Sequence, residues 1–201
     1  MQRSGILFII SGASGSGKTT LCANLRKNPD FFYSVSCTTR APRRGEVEGK
    51  DYFFVDHDVF RRQIKEGYFL EYAEVHGNYY GTPLQPVKDA LVKGLDLLLD
   101  IDVQGAQQVR NNPDPQIQRA LVEIFLTPPN LAELEKRLRR RATDDEATIQ
   151  RRLAAARQEM SFWRNYDYVI LSSTAEEDFQ RFRSIMLAER FRTSRLQLDF
   201  E

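Results

Sequence analysis

Residues 11–20 read Ser11-Gly-Ala-Ser-Gly-Ser-Gly-Lys-Thr-Thr20. From Gly12 this is Gly-x-x-x-x-Gly-Lys-Thr, a spacing in which each residue type has a task in holding phosphate. Gly12, Gly15 and Gly17 let the backbone turn tightly enough to aim its amides at anionic oxygens. Lys18 brings a point charge to β- and γ-phosphates, and Thr19 offers a hydroxyl to Mg²⁺. Such a loop needs a strand before it and a helix after it. Residues 6–10 are an unbroken run of β-formers, the pattern of a strand buried on both faces of a parallel sheet. The helix that follows carries Leu21 and Leu25 on one face, ends near Asn28-Pro29, and turns its positive end toward the loop. Strand, loop and helix in this order imply ATP or GTP binding.

A second group of anion-binding residue types follows. Arg40 and Arg43 stand three apart around Pro42, near the hydroxyls of Ser36, Thr38 and Thr39. Forked guanidinium groups hold a dianionic phosphate at two points. A strand-like segment over 49–55 brings the Tyr52 phenol toward the same anion. A solvated basic loop is the alternative reading of these charges. Residues 67–82 form strand-like runs split by Gly77-Asn78. Within them Glu71, beside Leu70, either faces solvent or accepts from a pair of ligand N–H groups. Thr82, between Gly81 and Pro83, is held extended. An acid and a hydroxyl together suit guanine, whose N1–H and 2-amino group are donors.

Residues 95–102 predict an apolar strand closing in Asp100 and Asp102, on one face if the strand continues. Ligands of open α/β sheets sit beyond the carboxyl ends of the strands. Asp100 is therefore expected between two nucleotides, near Mg²⁺ or its waters; an acidic turn is the alternative. A further core strand over 122–127 stops at Pro128-Pro129. Leu131, Leu134 and Leu138 then recur at helical spacing, with Arg137 and Arg141 sharing a face. Thr143-Asp-Asp-Glu146 reads as a capping box for a helix carrying Arg152, with Ile149, Leu153, Ala156 and Met160 inward. With seven Lys+Arg and five Asp+Glu between 131 and 153, this segment suits a flap closing over phosphates. An exposed, salt-bridged helical hairpin fits the composition too. Residues 166–171 predict the last core strand and 176–195 a covering helix, with Arg190, Arg192 and Arg195 beyond it expected in solvent.

The chain has 201 residues, 41% hydrophobic and 28% charged, with a formal charge of +1. That size suits one domain or a core with small insertions, and the balance argues against disorder. A near-neutral charge gives no field that would recruit nucleic acid or a membrane surface. Two cysteines and two histidines are too few for a disulfide framework or a zinc cage. No apolar run approaches the ~20 residues of a membrane span, nor does the N-terminus read as a secretory leader. A cytoplasmic location is expected.

The phosphate loop, Ser34-Val-Ser-x-Thr-Thr-Arg-x-Pro-Arg, Gly77-Asn-Tyr-Tyr-Gly-Thr82 and Leu99-Asp-Ile-Asp-Val-Gln-Gly105 stand in the order and spacing of the guanylate kinase family. The resemblance runs from Gly5 to about Ser172. It implies an α/β phosphate-loop fold: a parallel-sheet core (1–35, 83–130 and 156–201), an inserted GMP-binding lobe (36–82) and a helical lid (131–155). The activity implied is reversible transfer of the ATP γ-phosphoryl group to GMP or dGMP, with Mg²⁺, serving purine nucleotide recycling. By that resemblance ATP lies on Gly12, Ala13, Ser14, Gly15, Ser16, Gly17, Lys18, Thr19 and Thr20. The GMP phosphate falls to Ser36, Arg40, Arg43, Tyr52 and Tyr80, and the guanine to Glu71 and Thr82 with help from Asp100. Lys18, Arg40, Arg137, Arg141 and Arg152 would carry the charge of the transferring group, and Thr19 the metal, with Asp100 through water.

Two departures from the family pattern stand out. Arg140 and Ala142 replace glycines, and Ser172-Ser173 replaces an Asn-Asp pair whose Asn meets adenine. The expected partners are these small substrates alone, with no nucleic acid or membrane, and a monomer or weak homo-oligomer. Two other readings use the same scaffold. One is a phosphopeptide-binding module, which the intact loop and absence of companion domains disfavour. The other is a kinase for ribose bisphosphate, disfavoured by Glu71 and Thr82.

Overall fold

The computed structural model describes residues 2–27, 30–75, 77–140 and 145–198. In chain order its elements are β1 (Gln2–Arg3), β2 (Leu7–Ser11), α1 (Lys18–Leu25), β3 (Cys37–Thr38), β4 (Phe53–Phe54), α2 (His57–Lys65), β5 (Phe69–Val75), β6 (Asn78–Pro83) and α3 (Leu84–Val92). There follow β7 (Leu97–Asp100), α4 (Val103–Arg110), α5 (Pro115–Ala120), β8 (Leu121–Thr127), α6 (Leu131–Arg140), α7 (Glu146–Met160), β9 (Tyr168–Leu171), α8 (Ala175–Arg190) and β10 (Leu196–Gln197).

Four parallel strands, in the order β7-β2-β8-β9, form the central sheet. Its β2 is buried along its whole length because both faces are covered. Ile6, Phe8 and Ile10 pack on one side with Leu21, Leu25, Phe182 and Met186. Leu7 and Ile9 pack on the other with Val87, Leu91, Val109 and Ile117. The two-residue period of the strand thus splits one apolar run between two cores. The result is an α/β fold with the central sheet between helical layers, as expected of a phosphate-loop protein.

A second sheet, in the order β4-β3-β6-β5, is built from residues 37–83. Its β5–β6 hairpin sets Glu71 opposite Thr82. Cys37, Phe60 and Phe69 form its small core, with the Phe60 and Phe69 rings stacked at 4.3 Å. The third packing unit joins α6 and α7 to the phosphate loop: Leu134, Leu138 and Ala156 bury against Ala13. No helix among the described residues is long and apolar enough to cross a membrane.

Several sequence expectations shift. Over 49–55 only Phe53–Phe54 is strand, because its ladder partner is the two-residue β3; Tyr52 adds a single bridge to Glu48. The sequence reading includes none of the helices α2, α3 and α5. At the start of α7 the cap is Asp145, whose carboxylate accepts from the Thr148 amide at 2.8 Å, while Thr143 lies outside the described residues. Asp102 does not continue β7 beside Asp100; it caps α4, accepting from the Gly105 amide at 2.8 Å. Arg190 and Arg195 are not solvated tail charges. Arg190 donates to the fully buried Asp96 at 2.7 Å, and Arg195, 5% exposed, pairs with Glu189 at 3.0 Å.

Candidate active site

The phosphate loop leaves β2 through Gly12, where φ is +150° and an added Cβ would fall 2.0 Å from the Leu126 carbonyl oxygen. Only glycine allows β8 to approach the loop this closely. Gly15 and Gly17 are also at positive φ, and Gly17 leads directly into α1, whose N-terminal amides face the loop. Residues Gly12 through Thr20 line a cleft of about 290 Å³ together with Asp102 and Glu159. Thr19 and Thr20 stand exposed in it.

Beyond Lys18 a second cavity opens, of about 310 Å³. Six of the eight residues expected to meet the second nucleotide line it: Ser36, Tyr52, Glu71, Tyr80, Thr82 and Asp100. Lys18 Nζ stands 3.6 Å from the Asp100 carboxylate and donates to the Ile101 carbonyl at 3.4 Å. That pair is the junction between the two cavities. At the deep end Glu71 is 6% exposed and accepts from the Thr82 hydroxyl at 2.5 Å. Burial pushes its carboxyl above the ordinary glutamate value, the Thr82 bonds opposing and Asp102 adding to the rise. A buried acid with one small neutral partner has lone pairs to spare for a ligand's donors.

The two arginines of the basic loop part company. Arg40 lies over the Tyr52 ring, 5.6 Å from its centroid, and grips Glu46 at 2.8 and 3.0 Å. Glu46 and Tyr80 hold its guanidinium charged. Arg43 is exposed, and its backbone amide donates to Glu46 at 2.7 Å. Neither guanidinium lines the second cavity; Arg40 borders it behind Tyr52 and Tyr80.

On the other side, α6 and α7 bring basic groups to the phosphate loop. Arg137 donates to the Ser16 carbonyl at 3.4 Å and to the Ser172 hydroxyl, with a further bond to the Ser172 carbonyl at 3.1 Å. Glu133 takes its Nε at 3.0 Å. Ser172 is thus engaged by Arg137. Arg152 donates to the Ser14 hydroxyl at 3.0 Å. Arg141 lies outside the described residues. Arg139 pairs with Glu135 and Glu146, tying the end of α6 to the start of α7, and Arg140 is exposed.

Five contributing residues escape the sequence reading. Glu159 of α7 accepts from the Ser14 amide at 3.1 Å. Glu46 clamps Arg40. Arg26, Tyr33 and Ser34 extend the wall of the second cavity. Only Glu46, in turn spacing after Arg43, carried a local signal. Both cysteines are buried free thiols: burial raises Cys37 to about 11, and burial together with Asp100 raises Cys22 further still.

For Mg²⁺ the available donors are few and hard. Thr19 offers a hydroxyl, and Asp100 the nearest carboxylate to Lys18. No cluster of three His, Cys, Asp or Glu exists among the described residues. This donor set fits a cation that keeps most of its waters and arrives with phosphates rather than one held in a protein cage.

The guanylate kinase family model matches residues 4–189. A guanylate kinase of Cereibacter sphaeroides is 46% identical over 196 residues, covering 97% of this chain and 92% of the relative. One of Syntrophotalea carbinolica is 48% identical over 199 residues, covering 98% and 92%. The crystal structure of guanylate kinase from Anaplasma phagocytophilum superimposes with a TM-score of 0.74 at 37% identity, covering 97% of this chain and 91% of that one. With a match that spans both cavities and the strand ends between them, the chain belongs to the guanylate kinase family.

Proposed function

We propose that this protein is a cytoplasmic kinase that transfers the γ-phosphoryl group of ATP to GMP or dGMP, giving ADP and GDP or dGDP. The observation that carries the reading is the pair of adjoining cavities, one walled by phosphate-loop amides and the other ending in the buried Glu71–Thr82 couple. Guanine offers its N1–H and 2-amino donors to an acid with free lone pairs. Adenine in the same pose would leave that buried acid unpaired, which rejects it.

Catalysis in this site is positioning and charge stabilisation, since phosphoryl transfer asks little covalent chemistry of the protein. Lys18 at the junction reaches the transferring group from the donor side. Arg40 reaches it from the acceptor side, with Ser36, Tyr52 and Tyr80 holding the acceptor phosphate and Arg43 turning inward to join them. Arg137, Arg141 and Arg152 clamp the triphosphate from above. Held by Thr19 and, through water, by Asp100, Mg²⁺ would neutralise charge on the phosphates. The division into core (1–35, 83–130, 156–201), GMP lobe (36–82) and lid (131–155) gives each cavity a wall that can close on it and keep water out.

The test is ADP release from MgATP with GMP, dGMP, AMP, UMP or ribose 1,5-bisphosphate as acceptor. Turnover with the two guanine nucleotides alone supports the reading. Turnover with the ribose compound replaces the acceptor, and ATP binding without turnover replaces the enzyme by a binding module.

A further inference from the structure

The guanine end of the second cavity is held from behind by one helix. β5, which carries Glu71, is the outermost strand of its sheet, so one row of its backbone groups has no neighbouring strand. At Tyr72, next in sequence to Glu71, that row is met by a side chain. The Gln108 carboxamide accepts from the Tyr72 amide at 3.0 Å and donates to the Tyr72 carbonyl at 2.8 Å. A carboxamide has the donor and acceptor of a peptide unit, so Gln108 completes the ladder where a further strand would pair. One turn earlier on the same face of α4 stands Gly105. A Cβ there would lie 3.1 Å from the Glu71 carboxylate oxygen Oε2, tighter than a relaxed contact. Asp102, by capping the Gly105 amide, fixes where this turn begins.

We propose that Gln108 and Gly105 are positioning residues for base selection: Gln108 fastens β5 to α4, and Gly105 leaves the space into which the Glu71 carboxylate fits. Neither touches the nucleotide. They set the distance between Glu71 and the base edge, and a two-donor contact is sensitive to that distance because both bonds lengthen together. The inference rests on Glu71 reading guanine, and the test separates the two.

Steady-state constants are measured for wild type, Glu71→Gln, Gln108→Met and Gly105→Ala, with GMP and with its hypoxanthine analogue, which lacks the 2-amino donor. Gln108→Met keeps the length and packing of the side chain and loses both bonds to Tyr72. It is expected to raise KM for GMP roughly fivefold to tenfold, the effect of about one hydrogen bond, and to reduce the preference for GMP over the analogue by a similar factor. Its kcat and KM for ATP stay within about twofold of wild type. Gly105→Ala, which crowds the Glu71 carboxylate directly, is expected to move the same ratio in the same direction.

If Glu71→Gln collapses the base preference while both α4 variants keep it, the positioning role is overturned and the reading of guanine by Glu71 stands. If the α4 variants weaken GMP and ATP alike, α4 is merely structural. If Glu71→Gln leaves the preference intact, the reading of guanine fails and this inference with it.

Discussion

Arg137 reaches across from α6 to bind both the hydroxyl and the carbonyl of Ser172 at the end of β9, and the same guanidinium touches the Ser16 carbonyl of the phosphate loop. One arginine thus joins α6, the sheet end and the phosphate loop. A guanidinium makes these contacts together because its donors are fixed in a plane; an ammonium cannot. Arg137→Lys is expected to lower kcat by about 100-fold with KM for GMP little changed. Ser172→Ala, which removes one of the anchors, is expected to lower kcat about threefold to tenfold. Steady-state kinetics at saturating ATP check both.

On the proposed role of Glu71 at the base, its raised pKa gives GMP use its own acid limit. The carboxylate must be ionised to accept from both guanine donors, and burial shifts its titration above the ordinary 4.5. GMP binding is therefore expected to weaken on acidification from a higher pH than an ordinary glutamate would impose. The GMP phosphate titrates as well, so the measurement is the pH profile of GMP affinity in wild type against Glu71→Gln, whose profile carries the phosphate alone. Coincident profiles would remove Glu71 from the base site.

The same burial is a cost to the empty protein. A group whose folded pKa is raised loses its stabilising effect as pH rises through that pKa. At neutral pH the ionised Glu71 therefore weakens the fold relative to a neutral amide that keeps the Thr82 bond. Glu71→Gln is expected to raise Tm by about 2–4 °C at pH 7, the span of ~1 kcal/mol in a chain of this length. The gap should close in acid, where Glu71 is protonated in both states. Thermal unfolding of the two proteins across pH reads this directly.

Gly12 is a steric requirement with a measurable consequence. An added methyl would meet the Leu126 carbonyl at 2.0 Å, so β2 and β8 must separate or the loop must move. Gly12→Ala is expected to destabilise by at least about 2 kcal/mol and to abolish ATP binding, checked by urea unfolding and nucleotide titration.

What the sequence made legible follows from how local each signal is. The loop from Gly12 to Thr19 announces itself because its geometry is encoded in consecutive residues, and β2 and α1 flank it as expected. Glu71 and Thr82 were readable as a pair only through the Gly77-Asn78 turn that folds them together. Asp102 was misplaced because a strand continuing past Asp100 and a helix beginning there share the same residues until the Gly105 amide is seen to bond. Glu159 and Gln108 left no local trace: each acts on backbone far away in sequence, and helical spacing marks them as ordinary polar positions. Arg195 looked like a tail charge because its partners, Glu189 and the Arg119 carbonyl, are brought to it only by the packing of α8 and α5.

The proposed reading of guanine by Glu71 is tested most directly by comparing GMP and ATP in Glu71→Gln. Each nucleotide is varied at saturating concentration of the other, and kcat/KM is taken for both. An amide in place of the acid turns one acceptor toward guanine into a donor. The expected result is a loss of about 100-fold or more in kcat/KM for GMP, with the value for ATP within about threefold of wild type. Equal losses for both nucleotides, or none, would contradict it.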